Sequence, residues 1–127
     1  MKIKQVCALS GLTARAVRFY CERGLIHPTS YELNGRNYYE YSQEDVRTLR
    51  RVGTLRRAEF SLEEISSMMQ DEKCVQKVIE THMQKLRERE MRTEAMLQKM
   101  QSLCNTPHMD FHAFADALEE NSPPQED

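Results

Sequence analysis

The sequence predicts a mainly α-helical chain in four parts. These are a winged helix-turn-helix over residues 1–70, one long coiled-coil helix over 71–104, a short loop and helix over 105–121, and a disordered tail over 122–127. Three observations predict it. Apolar residues near the start recur at helical spacing on both sides of a short glycine-containing turn. An Asn34-Gly35 pair sits between extended-favouring aromatic residues. Residues 73–103 contain neither proline nor glycine and are dominated by helix formers.

Ile3, Val6, Cys7 and Leu9 fit a short amphipathic helix over 2–9. Gly11 suits the tight turn that follows, because it takes the left-handed conformation without steric penalty. Thr13 is a good N-cap for a second helix reaching about Arg23, with Ala16, Val17 and Tyr20 turned toward the first. Gly24 closes it. Helix, short turn, helix is the helix-turn-helix geometry, and it leaves Arg15 and Arg18 where they reach a major groove or its phosphates. Asn34-Gly35 matches the two positive-φ positions of a type I′ hairpin turn, so residues 31–39 form a small wing. Arg36, Asn37 and Tyr38 lie just past its tip, where a wing touches sugar-phosphate. Two of Tyr38, Tyr39 and Tyr41 are expected to pack the hairpin onto the helices. Ser42 and Ser61 each precede acidic residues and an apolar stripe, the signature of two further helix starts. Arg50, Arg51, Arg56 and Arg57 add a basic edge to that pair.

Charge is divided along the chain. Residues 1–60 hold 11 Lys and Arg against 6 Asp and Glu, a balance of +5; residues 61–127 hold 7 against 14, a balance of −7. A basic front half meets a polyanion. No apolar run reaches the roughly 18 residues of a membrane span, and no charged start leads into a signal-peptide core, so no membrane partner is expected. Cys7, Cys21, Cys74 and Cys104 are too widely spaced for a compact disulfide framework and read as thiols of a reducing cytoplasm. There is no P-loop, no HExxH and no nucleophile triad in recognisable context, so the chain does not read as an enzyme.

Several runs, taken in order, resemble the DNA-binding domain of the MerR family of bacterial transcription regulators. They are Leu12-Thr13-Ala14-Arg15-Ala16-Val17-Arg18-Phe19-Tyr20, then Gly24-Leu25-Ile26 and Pro28. Further on come Tyr41-Ser42-Gln43-Glu44-Asp45-Val46, Leu55-Arg56 and Phe60-Ser61-Leu62-Glu63-Glu64-Ile65. The resemblance implies a homodimer that bends and untwists double-stranded promoter DNA so that RNA polymerase can engage it. By position it implies DNA contacts from Thr13, Arg15, Arg18 and Tyr20 on the recognition helix, and from Arg36 and Tyr38 on the wing. The chain departs from the family at Cys21, where Glu is usual, and at Tyr39, where a wing Arg is common.

In the back half, Ile79, Met83, Leu86, Leu97, Met100 and Cys104 fall on a seam of the coiled-coil type, interrupted by Glu90 and Thr93. A second stripe through Val75, His82 and Met96 overlaps it. A helix with so broad an apolar face needs a partner, and the resemblance implies an antiparallel one. Thr106-Pro107 ends the helix, and Asp110 can cap a short helix through Phe111, Phe114 and Leu118, folded back on the coiled coil.

No motif calls for a cofactor. The one candidate is a Zn or Cu ion held by Cys74 of one chain with Cys104 and His108 of the other, His112 standing nearby. Structural readings stay open for all of them: Cys104 as the last seam residue, His108 in a solvated loop, Cys74 at a helix start. Cys74 and Cys104 pairing across a dimer is a third alternative. The function expected is therefore a DNA-binding regulator, its effector a metal, a thiol-reactive species or neither. An architectural DNA-binding coiled-coil protein without an effector is the alternative from another class.

Overall fold

A computed structural model describes residues 1–120; the tail expected over 122–127 lies outside the described residues. Helices α1 (Ile3–Ser10) and α2 (Ala14–Glu22) are joined by the expected turn, with Gly11 at φ 76°. Thr13 caps α2 by accepting the Ala16 amide at 3.1 Å. Gly24, at φ 78°, ends it: the amides of Gly24 and Leu25 each bond at 3.0 Å, to the carbonyls of Cys21 and Tyr20.

Strands β1 (Thr29–Leu33) and β2 (Arg36–Glu40) form the antiparallel wing, in register from Thr29↔Glu40 to Leu33↔Arg36. Asn34 (φ 53°) and Gly35 (φ 77°) both take the positive φ that a type I′ turn requires. All strand residues are exposed. This corrects the expectation for the tyrosines: Tyr41 alone is buried, while Tyr38 and Tyr39 are exposed. A two-stranded ribbon has too little area to bury both, so its rings cover one another instead. Tyr31 and Tyr38 stack across the strands with centroids 5.6 Å apart.

Helices α3 (Gln43–Arg57) and α4 (Leu62–Gln70) open on reciprocal capping boxes, Ser42 with Asp45 and Ser61 with Glu64. A single 3₁₀ turn, Glu72–Cys74, leads into the 30-residue helix α5 (Val75–Cys104). Helix α6 (Phe111–Glu120) follows, Asp110 accepting the Ala113 amide at 2.8 Å.

The chain forms two compact units, Met1–Glu80 and the stretch from Thr81 onward. Val78, in the first turns of α5, packs against the core of the first unit. That core holds Val6, Val17, Leu49, Val52 and Ile65, all essentially without solvent contact, with Leu25, Ile26, Tyr41, Val46 and Phe60 around them. Tyr20 also belongs to it at 9% exposure. Val17 and Tyr20, three apart, share the face of α2 turned inward, as their spacing predicts. In the second unit, Met83, Met91, Met96, Leu97 and Met100 are exposed along α5. Leu103, Met109, Phe114, Ala117 and Leu118 are partly buried, while Phe111 remains 80% exposed.

Candidate nucleic-acid interface

The face of α2 opposite Val17 and Tyr20 carries Arg15, Arg18, Phe19 and Glu22, at the i, i+3, i+4, i+7 spacing of one helix stripe. All four are exposed. Arg15 and Arg18 have no ion pair among the described residues. Thr13 stands at the head of the stripe, its hydroxyl oxygen occupied by the Ala16 amide.

Arg18 also forms one wall of an open groove of about 530 Å³. Lys2, Ile3 and Lys4 bound it from the start of the chain, and Tyr31, Asn37, Tyr38, Tyr39 and Tyr41 from the wing and the segment after it. The fold therefore brings Arg18 and Tyr38, separated in sequence, to one concave surface. Arg36, beside the wing turn, is exposed but does not line the groove.

Charge at the groove is unevenly compensated. Glu40 accepts a hydrogen bond from the Met1 ammonium at 2.6 Å and pairs with Lys2 at 2.8 Å. Those two cations hold its carboxyl down to about 2, Lys2 first and the terminal ammonium second. Lys2 is in turn pushed up by Glu40 and by the Tyr31 hydroxyl, to which it also donates. Its ammonium lies 4.4 Å from the centroid of the Tyr31 ring. One carboxylate thus serves two cations. Lys4 and Arg18 have no ion pair among the described residues, so the groove presents a net positive wall.

The basic edge on α3 is more engaged than its sequence implies. Glu44 pairs with Arg47 at 2.7 Å and Arg51 at 3.9 Å, and Arg47 holds the Glu44 carboxyl below its ordinary range. Arg56 donates to the Phe60 carbonyl at 3.0 Å, tying off the α3 end. Arg50 and Arg51 border a shallow depression with Thr54 and Leu55.

Among the described residues no three His, Cys, Asp or Glu side chains of the chain are grouped as metal ligands. Cys74 immediately precedes α5 and belongs to the first unit, whereas Cys104 is the last residue of α5 and belongs to the second. The Cys74 thiol lies 3.1 Å from the Ser67 carbonyl and 3.0 Å from that of Asp71, a donor's position at the end of α4. Cys104 is exposed, as is His108, whose φ is 61°. Cys7 and Cys21 are partly buried, and burial, with Asp45 and Glu22 adding to it, pushes the Cys21 thiol up.

Lys2, Lys4 and Phe19 belong to these surfaces without having been singled out in the sequence. Lys2 and Lys4 alternate with the apolar residues of α1, and only the chain path beside the wing brings them to the groove. For Phe19 the signal was present: it lies four residues from Arg15 on the exposed stripe.

An exposed cationic helix after a tight turn, a two-stranded wing beside it and a long helix beyond define a winged helix-turn-helix protein. Residues 1–72 match the family model described as MerR HTH family regulatory protein, and the chain belongs to that family. It is 39% identical over 69 residues to the HTH-type transcriptional regulator CueR of Vibrio cholerae, covering 54% of this chain and 48% of that protein. It is 42% identical over 71 residues to the HTH-type transcriptional regulator YfmP of Bacillus subtilis, covering 55% and 49%. The chain spans about half the length of the curated relatives it matches. Among solved structures, the transcription regulator PbrR691 from Ralstonia metallidurans CH34, in complex with lead(II), has a TM-score of 0.74 at 19% identity, over 87% of this chain and 89% of that one. A MerR family regulator from Listeria monocytogenes has a TM-score of 0.54 at 20% identity, over 94% and 95%. At such identities the likeness is one of fold.

Proposed function

We propose that this protein is a cytoplasmic bacterial transcription regulator, not an enzyme, that binds promoter DNA as a homodimer and distorts it. The observation that carries the reading is the exposed cationic face of α2 continuing into the groove beside the wing. Arg15, Arg18, Lys4 and Arg36 supply positive charge for phosphates, and Thr13, Tyr38 and Asn37 supply polar contacts. Tyr20, in the core, acts by holding α2 in place.

Homodimerisation is supported by α5. Ile79, Met83, Leu97 and Met100 are each 39–57% exposed along its seam, an apolar surface that a partner helix would cover. Antiparallel pairing joins two winged units into one rigid reader, and such a reader needs a palindromic site with fixed half-site spacing. The distortion is then part of recognition, and RNA polymerase responds to the reshaped promoter. Selection from a random duplex library with the purified chain tests this. Enrichment of an inverted repeat, bound by a dimer in analytical ultracentrifugation, is expected; a monomer, or no enriched sequence, overturns it.

A second reading adds an effector. Cys104, the last residue of α5, and His108, four residues on, are both exposed, and one fold neighbour was solved with lead(II). A Zn or Cu ion there would draw Cys74 from the partner chain. The engaged Cys74 thiol would have to leave the α4 carbonyls to ligate. Anaerobic purification and titration with Zn(II) and Cu(I) decide it. Tight binding at a fixed ratio per dimer, lost in Cys104→Ser, makes the regulator metal-responsive. No tight binding leaves these side chains structural, and a protein that bends DNA without any effector becomes the architectural alternative.

A further inference from the structure

Phe19 is 43% exposed at the centre of the cationic stripe of α2. The Arg23 guanidinium lies 5.7 Å from the centroid of its ring, and Arg23 is itself paired with Glu63 on α4 at 3.6 Å. The Tyr20 ring, fixed in the core, lies 5.9 Å away. Together with Thr13, Arg15 and Ala16, Phe19 bounds a shallow depression of about 370 Å³ on the exposed side of the helix.

Three of those four residues carry apolar groups that suit a thymine C5-methyl in the major groove, and Arg15 is the side chain type that reads an adjacent guanine. Phenylalanine has no hydroxyl, so it contributes nothing to phosphate binding and has only its ring to offer. Arg15 and Arg18, flanking it on the same face, favour a polyanion as the occupant over a neutral protein surface. We infer that the depression formed by Thr13, Ala16 and Phe19 is a base-reading pocket for one thymine methyl per half-site, with Phe19 as its specificity-determining residue. This rests on the DNA-binding reading above.

The test uses the full chain and the duplex enriched from the random library. Each thymine is replaced in turn by deoxyuridine, which removes the methyl and nothing else. Burying one methyl corresponds to about a fourfold change in affinity. One thymine per half-site should therefore show a loss of about fourfold, while the others stay level. In Phe19→Ala that uridine penalty should disappear, whereas in Phe19→Leu, still apolar, part of it should persist. A wild-type scan that is flat at every thymine overturns the pocket without needing any variant to fold. A penalty that survives Phe19→Ala undiminished overturns the role of the ring. If no duplex is enriched, the DNA-binding reading falls and this inference falls with it.

Discussion

Replacing Arg18 with alanine removes one cation from the wall of the groove between α2 and the wing. The side chain is exposed and has no ion pair among the described residues, so the fold should be undisturbed. Each phosphate contact contributes about 0.9 to the slope of log affinity against log salt. Between 50 and 200 mM salt, a fourfold change, one contact therefore accounts for roughly a 3.5-fold loss of affinity. A dimer that loses one contact per protomer should show about twelvefold less salt sensitivity over that range. Fluorescence anisotropy at four salt concentrations, with a thermal melt to confirm the fold, measures it. Unchanged affinity and slope would mean that α2 does not lie against the backbone. Weaker binding with an unchanged slope would move Arg18 from phosphate to base or to a structural role.

Arg36→Ala should lower the salt slope in the same way if the wing touches phosphate, and indifference would leave the hairpin a spacer. The Glu40 carboxyl, held near 2 against an ordinary 4.5, stabilises the fold fully above about pH 4.5 and loses that contribution as pH falls toward 2. Acid unfolding of Glu40→Gln should accordingly show a shallower pH dependence in that window, and an identical profile would refute the assignment. Gly53→Ala should raise stability by about 0.5–1 kcal/mol in urea unfolding. Its new Cβ would meet Leu12 Cδ2 and Arg57 Nη1 at 3.5 Å, ordinary contact, so destabilisation would mean that the α1–α3 region is tighter than described.

Helix periodicity and caps were readable because they are local. Thr13, Ser42, Ser61 and Asp110 all cap where the sequence placed them, and Asn34-Gly35 turns the wing. What escaped was decided by neighbours distant in sequence. Spacing placed Tyr20 on the inward stripe, while the exposure of Phe19 beside it follows from how α2 packs. Tyr38 and Tyr39 looked able to reach the helices, but their exposure depends on how far the hairpin projects. Lys2 and Lys4 acquire meaning from a wing that begins some 25 residues later. Arg56 and Arg51 counted as free charge until Phe60 and Glu44 were seen to engage them.

The wing has a further consequence. Every residue of both strands is exposed, and the hairpin's shape comes from strand pairing and a two-residue turn. Apart from Glu40, which pairs with the Met1 ammonium and Lys2, side chains there can therefore be exchanged with little effect on the buried residues of α1–α4. On the proposed reading, the grip on a promoter can be strengthened or weakened one wing residue at a time, Glu40 apart, while the folded protein keeps its stability. Innovation in regulation is thereby separated from the risk of unfolding.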